Sequence, residues 1–229
     1  MVCPAIIQER IRLGDHGRLS GMLAYPAQGM PERAALICPP HPNFAGDMTN
    51  NVVTAVADAL SHNMLTLRFD YRGVGESRIC LEAGDSALDY WDRVESQQDY
   101  GGALADAADA ADVLEEMSQS MPILALGYSF GAFTALQTAC ARERILATVG
   151  IAAPFKRICF DFLAACTWPC LLISGDQDFV YDPSVTQRLA QDVGERLTID
   201  LLSAQDHFFR GSESMLAERI LRFISTVPS

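Results

Sequence analysis

Basic charge is scarce in this chain: 17 Lys and Arg stand against 29 Asp and Glu, for a formal charge of −12 and a pI of about 4.6. Such an exterior repels a nucleic-acid backbone or an anionic membrane surface, so neither is expected as a partner. Closely paired cysteines are lacking too. Cys3, Cys38, Cys80, Cys140, Cys159, Cys166 and Cys170 form an odd set that falls mostly in apolar runs. This pattern implies neither a disulfide framework nor a zinc site, and it suits a reduced, cytoplasmic setting. Met1 to Arg12 has no uninterrupted apolar core of the kind a signal peptide needs, because Glu9, Arg10 and Arg12 interrupt it. No internal repeat is visible, and the sole biased tract is an Ala/Asp stretch. One segment, 117–141, has no Asp, Glu, Lys or Arg and would be long enough to span a bilayer. It contains Pro122, Gly127, Ser129, Gly131 and Gln137, and reads instead as a buried strand followed by a buried helix.

The 229 residues are 49% apolar, which is ample for a core, and one domain over 1–229 is the simpler division. Ile6–Leu13 and Arg18–Tyr25 flank Gly14-Asp15-His16-Gly17, a turn of the kind that joins antiparallel strands. Beyond them the pattern alternates. Short apolar runs at Ala34–Cys38, Met64–Phe69, Pro122–Leu126, Leu146–Ala152, Cys170–Ser174 and Leu197–Leu202 read as strands. Helical spacing marks Asn50–Leu60, Gly102–Met117, Phe130–Ala141, Pro183–Asp192 and Glu213–Ser225. On the second of these, Asp106, Asp109, Asp112, Glu115 and Glu116 are expected on the wet side, opposite Leu104, Ala108, Ala111 and Leu114. Strands alternating with helices predict an α/β fold: a mostly parallel open sheet of about seven or eight strands, helices on both faces, and an antiparallel N-terminal edge. Two segments break the pattern, 78–100 and 153–169. Both are rich in aromatic residues and are expected as loop insertions lining a site at the carboxyl ends of the strands.

The sharpest chemical signal is Gly127-Tyr128-Ser129-Phe130-Gly131, set between a predicted strand and a predicted helix. In this G-x-S-x-G elbow a tight turn holds the serine hydroxyl clear of the sheet, and unpaired N–H groups at the helix start face the same way. A serine hydroxyl is a weak nucleophile that needs a base and a group to orient the base. Of four histidines, His16 lies in a turn and His62 at a helix end, whereas His207 follows the last strand and is the expected base. Asp178, in Gly175-Asp176-Gln177-Asp178, is the expected orienting acid; Asp176 is its local competitor and suits a loop cap better. A calcium loop at Asp176, Asp178 and Asp182 fails because Val180 and Tyr181 occupy positions that need an oxygen ligand and a glycine. The loop Pro39 to Gly46 should add a second oxyanion donor. Prolines have no N–H, so the candidates are Asn43 and Phe44, with Phe130 as the first donor. His41 is assigned to shaping this loop rather than to proton transfer. Asp70 to Ser77 superficially matches a dinucleotide fingerprint, but Arg78 replaces its third glycine; a rigid turn with Arg72 anchoring acidic loop groups is the better account. His41, Tyr128, Trp91 and Phe155 are the residues expected to touch substrate.

From Arg18 to Ile224 the chain resembles the α/β-hydrolase superfamily. Five landmarks agree in order: the His41-Pro42 loop, Asp70 to Ser77, the Ser129 elbow, Gly175 to Asp178, and Asp206-His207-Phe208-Phe209. Within the superfamily it is similar to the small, lid-poor bacterial group of dienelactone hydrolases and acyl esterases, whose Gly-x-Met-x-Asn-Asn run matches Gly46 to Asn51. It departs from that group in having Pro39-Pro40 and Ala45-Gly46 where a doubled His-Pro and a Gly-Gly pair are usual. The resemblance implies Ser129, His207 and Asp178 as a catalytic triad acting without metal or organic cofactor on a small-molecule ester or thioester. Acyl transfer, a cofactor-free lyase or C–C hydrolase, a non-catalytic binding module, and a homodimer all stay open.

Overall fold

The computed structural model describes residues 5–44 and 46–228; Cys3 and Ala45 lie outside the described residues. The strands are Ile6–Leu13 (β1), Leu19–Pro26 (β2), Ala34–Cys38 (β3), Leu65–Phe69 (β4), Ile123–Tyr128 (β5), Ile145–Ile151 (β6), Cys170–Gly175 (β7) and Leu197–Leu202 (β8). The helices are Asn51–Ser61 (α1), Ala87–Gln97 (α2), Gly101–Met117 (α3), Phe130–Ala139 (α4), Pro183–Val193 (α5) and Glu213–Thr226 (α6). All eight strands form one sheet in the order β1-β2-β4-β3-β5-β6-β7-β8. Only β2 runs against its neighbours, pairing antiparallel with β1 and β4 while every other pair is parallel. The mostly parallel sheet with an antiparallel edge is the architecture the alternation predicts.

Successive side chains of a strand face opposite ways, and β3 divides accordingly. Ala34, Leu36 and Cys38 join the core under α3 and α4, whereas Ala35 and Ile37 join the core under α1 and α6. With both faces covered, β3, β4, β5 and β7 are buried along their whole length, which is why they are largely apolar, with Thr66 and Arg68 of β4 and Ser174 of β7 as buried polar members. The stretch 117–141 resolves into β5 and α4, and among the described residues no helix is long and apolar enough to cross a membrane.

Two details depart from expectation. The segment 78–100 is not wholly a loop: α2 occupies much of it, opened by a capping box in which the Ser86 side chain accepts from the Asp89 N–H and Asp89 accepts from the Ser86 N–H. Asp106 does not face water but is fully buried. Arg18 Nη1 reaches its carboxylate at 2.5 Å and Arg72 Nη2 at 2.7 Å, and the Arg72 backbone N–H adds a bond at 2.9 Å. Two guanidinium groups saturate the carboxylate, so burial is tolerated. Arg72 therefore anchors a helix carboxylate rather than acidic loop groups.

Asp70, just past β4, is a buried carboxylate with less support. It accepts one bond, from the Met48 N–H at 2.7 Å, and desolvation pushes its pKa up to about 6. Because the folded value lies above that of the unfolded chain, the native state binds the extra proton between about pH 4 and 6, and stability falls as pH rises through that window. Above it the buried charge is a standing cost of order 3 kcal/mol. Asp70→Asn keeps an acceptor and loses the charge. Urea unfolding should show the variant more stable than wild type at pH 8, with the difference shrinking toward pH 5; a difference constant with pH would contradict this assignment.

Candidate active site

Three loops at the carboxyl edge of the sheet bring Ser129, His207 and Asp178 together. Ser129 lies between β5 and α4 at φ 55°, ψ −120°, a left-handed conformation disfavoured for a residue with a side chain. Its neighbours make the turn passable. A Cβ on Gly127 would sit 1.8 Å from the Gly131 carbonyl oxygen, and one on Gly131 would sit 2.1 Å from that of Cys38. The chain is pinned there by the Ser129 N–H donating to Ile151 O at 2.8 Å.

His207 follows β8 and Asp178 follows β7. An ionised carboxylate only accepts, so imidazole Nδ1 carries the hydrogen and donates to the two Asp178 oxygens, 2.9 and 3.0 Å away. That leaves Nε2 as an acceptor for the Ser129 hydroxyl at 3.0 Å. Asp178 is itself held by the Val180 N–H at 2.9 Å, and the His207 carbonyl accepts from the Tyr128 hydroxyl at 2.9 Å. Asp178 and His207 are both buried. Asp176 turns away and accepts from the Ala204 N–H at 2.8 Å, the loop-capping role expected of it.

The residues expected to receive an oxyanion are arranged unequally. The Phe130 N–H opens α4, and no described residue accepts from it. The other two donors are engaged. Asn43 N–H donates to His41 Nδ1 at 3.2 Å, and Phe44 N–H donates to the His41 carbonyl at 3.0 Å, because Pro42 bends Pro42–Phe44 into a tight 3-10 turn. His41 is buried, and desolvation lowers its pKa, outweighing the opposite pull of Glu95; the neutral ring keeps Nδ1 free to accept. Among the described residues its Nε2 has no hydrogen-bond partner, and it lies 3.6 Å from Glu95.

Beside the serine is a cavity of about 130 Å³ whose wall includes His41, Phe44, Asn50, Tyr128, Ser129, Phe130, Phe179, Val180, His207 and Phe208. Of the four side chains expected to touch substrate, His41 and Tyr128 are on this wall, whereas Trp91 and Phe155 are not. Trp91 is buried behind His41, edge-on at 5.3 Å between ring centroids, with its indole N–H donating to Arg72 O at 3.0 Å. Phe155 packs on Phe160 at 5.1 Å in the core. Both are large apolar groups that gain more from core packing than from a wet rim. The two segments reach the wall through other residues: Glu95, one turn after Trp91 on α2, and Pro154, Arg157 and Ile158. Glu95 pairs with Arg157 at 3.1 Å. The capping pattern at Ser86 and Asp89 was the signal that could have placed Glu95, since a helix there sets residues 91 and 95 on one side.

The comparisons agree with this architecture. No family model matches the chain. A curated relative, RP471 of Rickettsia prowazekii (strain Madrid E), itself uncharacterized, is 30% identical over 226 residues, 94% of this chain and 88% of the relative. Among solved structures, ATU1826 of Agrobacterium tumefaciens, a protein of unknown function classed as a candidate α/β hydrolase, superposes with a TM-score of 0.78 at 26% identity, over 97% of this chain and 100% of its own. The chain belongs to the α/β-hydrolase superfamily. XC6422 of Xanthomonas campestris, described as an α/β serine hydrolase without a lid, shares the fold at a TM-score of 0.76 and 23% identity, over 97% of this chain and 96% of its own.

The strain at residue 129 is measurable. In Ser129→Ala and Ser129→Gly the hydroxyl is lost alike, but only glycine relaxes φ 55°. The glycine variant should be more stable than the alanine variant by about 1 kcal/mol in urea unfolding, reversing the order usual elsewhere in a fold. Alanine equal to or above glycine would show that the elbow is unstrained.

Proposed function

We propose that this chain is a serine hydrolase that cleaves a small carboxylic ester or thioester through an acyl-enzyme. The observation that carries the reading is the unbroken relay from the Ser129 hydroxyl through His207 to Asp178, assembled from three separate loops beside a cavity. Ser129 Oγ attacks the carbonyl carbon as its proton passes to His207 Nε2. Asp178 holds the imidazole in the required tautomer and stabilises the imidazolium. The Phe130 N–H at the start of α4 receives the negative oxygen. Asn43 supplies the second donor: its present acceptor is a side-chain nitrogen at 3.2 Å, which a developing oxyanion outcompetes, whereas Phe44 N–H closes a backbone turn. The imidazolium returns its proton to the leaving oxygen or sulfur, and water cleaves the acyl-enzyme by the same route.

The small cavity favours short acyl groups. The Xanthomonas neighbour's lid-free fold is in keeping with this. A fluorophosphonate probe should label wild type and not Ser129→Ala. Asp178→Asn should lower kcat by roughly 10³ to 10⁴ with little change in KM, because the imidazole loses its oriented tautomer. Failure of folded wild type to label would favour a binding module. Of the p-nitrophenyl esters, butyrate should turn over faster than palmitate; the reverse order would contradict the short acyl site.

A further inference from the structure

The acyl-enzyme reading leaves the leaving group unassigned, and the surroundings of His207 constrain it. In the step that expels the leaving group, its oxygen must lie within hydrogen-bond reach of His207 Nε2, at roughly 2.6–3.2 Å, to collect the proton. Whatever is bonded to that oxygen must therefore rest against the imidazole's neighbours. Two of these are phenylalanines. The Phe179 ring, from the loop that carries Asp178, lies 5.0 Å from the imidazole between centroids, and the Phe208 ring, next to His207 in the chain, lies 5.5 Å away and perpendicular to it. The two rings are 6.3 Å apart, inclined at 40°. Both are on the cavity wall, yet Phe179 is 58% and Phe208 43% exposed.

An isolated exposed phenylalanine needs no explanation, but two adjacent ones flanking a buried base and facing the cavity form an apolar surface placed where a substrate would sit. Their separation is within the 4.5–7 Å range in which aromatic rings pack edge-on or offset, so a third ring can join the group. The outer side of this group is already cationic, the Arg210 guanidinium lying 5.1 Å from the Phe208 centroid. The third side of the imidazole is taken by Tyr128, whose hydroxyl is spent on the His207 carbonyl.

We propose that Phe179 and Phe208 form a leaving-group subsite for an aromatic alcohol, so that the preferred substrates are short-chain acyl esters of arylalkyl alcohols or phenols. This rests on the serine-hydrolase reading and adds the identity of the departing group. The balance is that of ordinary ester hydrolysis: the C–O bond to the aryl-bearing oxygen breaks as the serine acyl bond persists, the oxygen leaves with the His207 proton, and water later supplies the atoms that release the acid.

Benzyl acetate and cyclohexylmethyl acetate test it, since they share the acyl group and nearly match in leaving-group bulk and acidity while differing in aromaticity. Wild type should show kcat/KM about tenfold higher for the benzyl ester, the scale of one aromatic contact group. The ratio should fall toward one in Phe179→Leu, Phe208→Leu and the double variant, whose far-ultraviolet circular dichroism reports that the fold is intact. A wild-type ratio near one, or a ratio that survives the double substitution, overturns the subsite while fluorophosphonate labelling leaves the serine-hydrolase reading standing. Loss of both labelling and ester turnover in folded wild type overturns the two together.

Discussion

The serine turn constrains everything around it. For Ser129 to stand at φ 55° between a strand and a helix, β5 and α4 must approach so closely that residue 127 cannot carry a Cβ. The same approach brings the Gly131 backbone against the carbonyls of Cys38 and Pro39, at the end of β3. One short turn therefore fixes the distance between two central strands and a helix, and sets the start of the loop that ends in Asn50. That loop carries His41, Asn43 and Phe44. The conformational cost, of order 1–3 kcal/mol at the serine, is sustained because β3 and β5 are buried on both faces and paired along their length.

A second constraint holds the wall opposite the sheet. Asp106 on α3 binds Arg18 from the start of β2 and Arg72 from the turn after β4, so one buried carboxylate ties the antiparallel edge, the fourth strand and a helix together. Arg72 passes the restraint on: its carbonyl accepts from Trp91, and Trp91 packs edge-on against His41. Removing either guanidinium would leave the charge at Asp106 less than fully compensated, and breaking a buried pair of this kind typically costs about 3–5 kcal/mol. The position of α2, and hence of Glu95 on the cavity wall, depends on a carboxylate that is itself no part of that wall.

Much of this was legible in the residues, for identifiable reasons. Strands covered on both faces leave short, largely apolar runs, and the elbow leaves two glycines flanking a serine; both are local demands that allow few residue types. His207 and Asp178 were found because they follow strands whose carboxyl ends share one edge. What escaped was non-local. Nothing in the periodicity of α3 separates Asp106 from Asp109 or Asp112, since burial of the first depends on arginines 88 and 34 residues away in sequence. Trp91 and Phe155 were assigned to substrate on composition, but a large aromatic side chain in an insertion can as readily plug the insertion onto the core, and here both do. The loop Pro39 to Gly46 does reach the cavity wall beside Ser129, yet the engagement of its N–H groups depends on the turn after Pro42 and on the tautomer of His41, which no spacing encodes.

Net charge also proves a poor guide to what a substrate meets. The exterior carries −12, which by itself would favour a cationic or neutral ligand. Within the cavity wall, however, Glu95 and Arg157 are the only residues of fixed charge among those described, and they are paired at 3.1 Å. Asp178 lies behind His207, fully hydrogen-bonded, and His41 is held neutral by burial. Arg157 also lies 5.7 Å from the centroid of Phe44, so its charge faces an aromatic ring as well as a carboxylate. The surface of the acid-rich chain thus encloses a cavity that is close to electrically neutral, and selection there falls to shape and apolar contact rather than to long-range attraction.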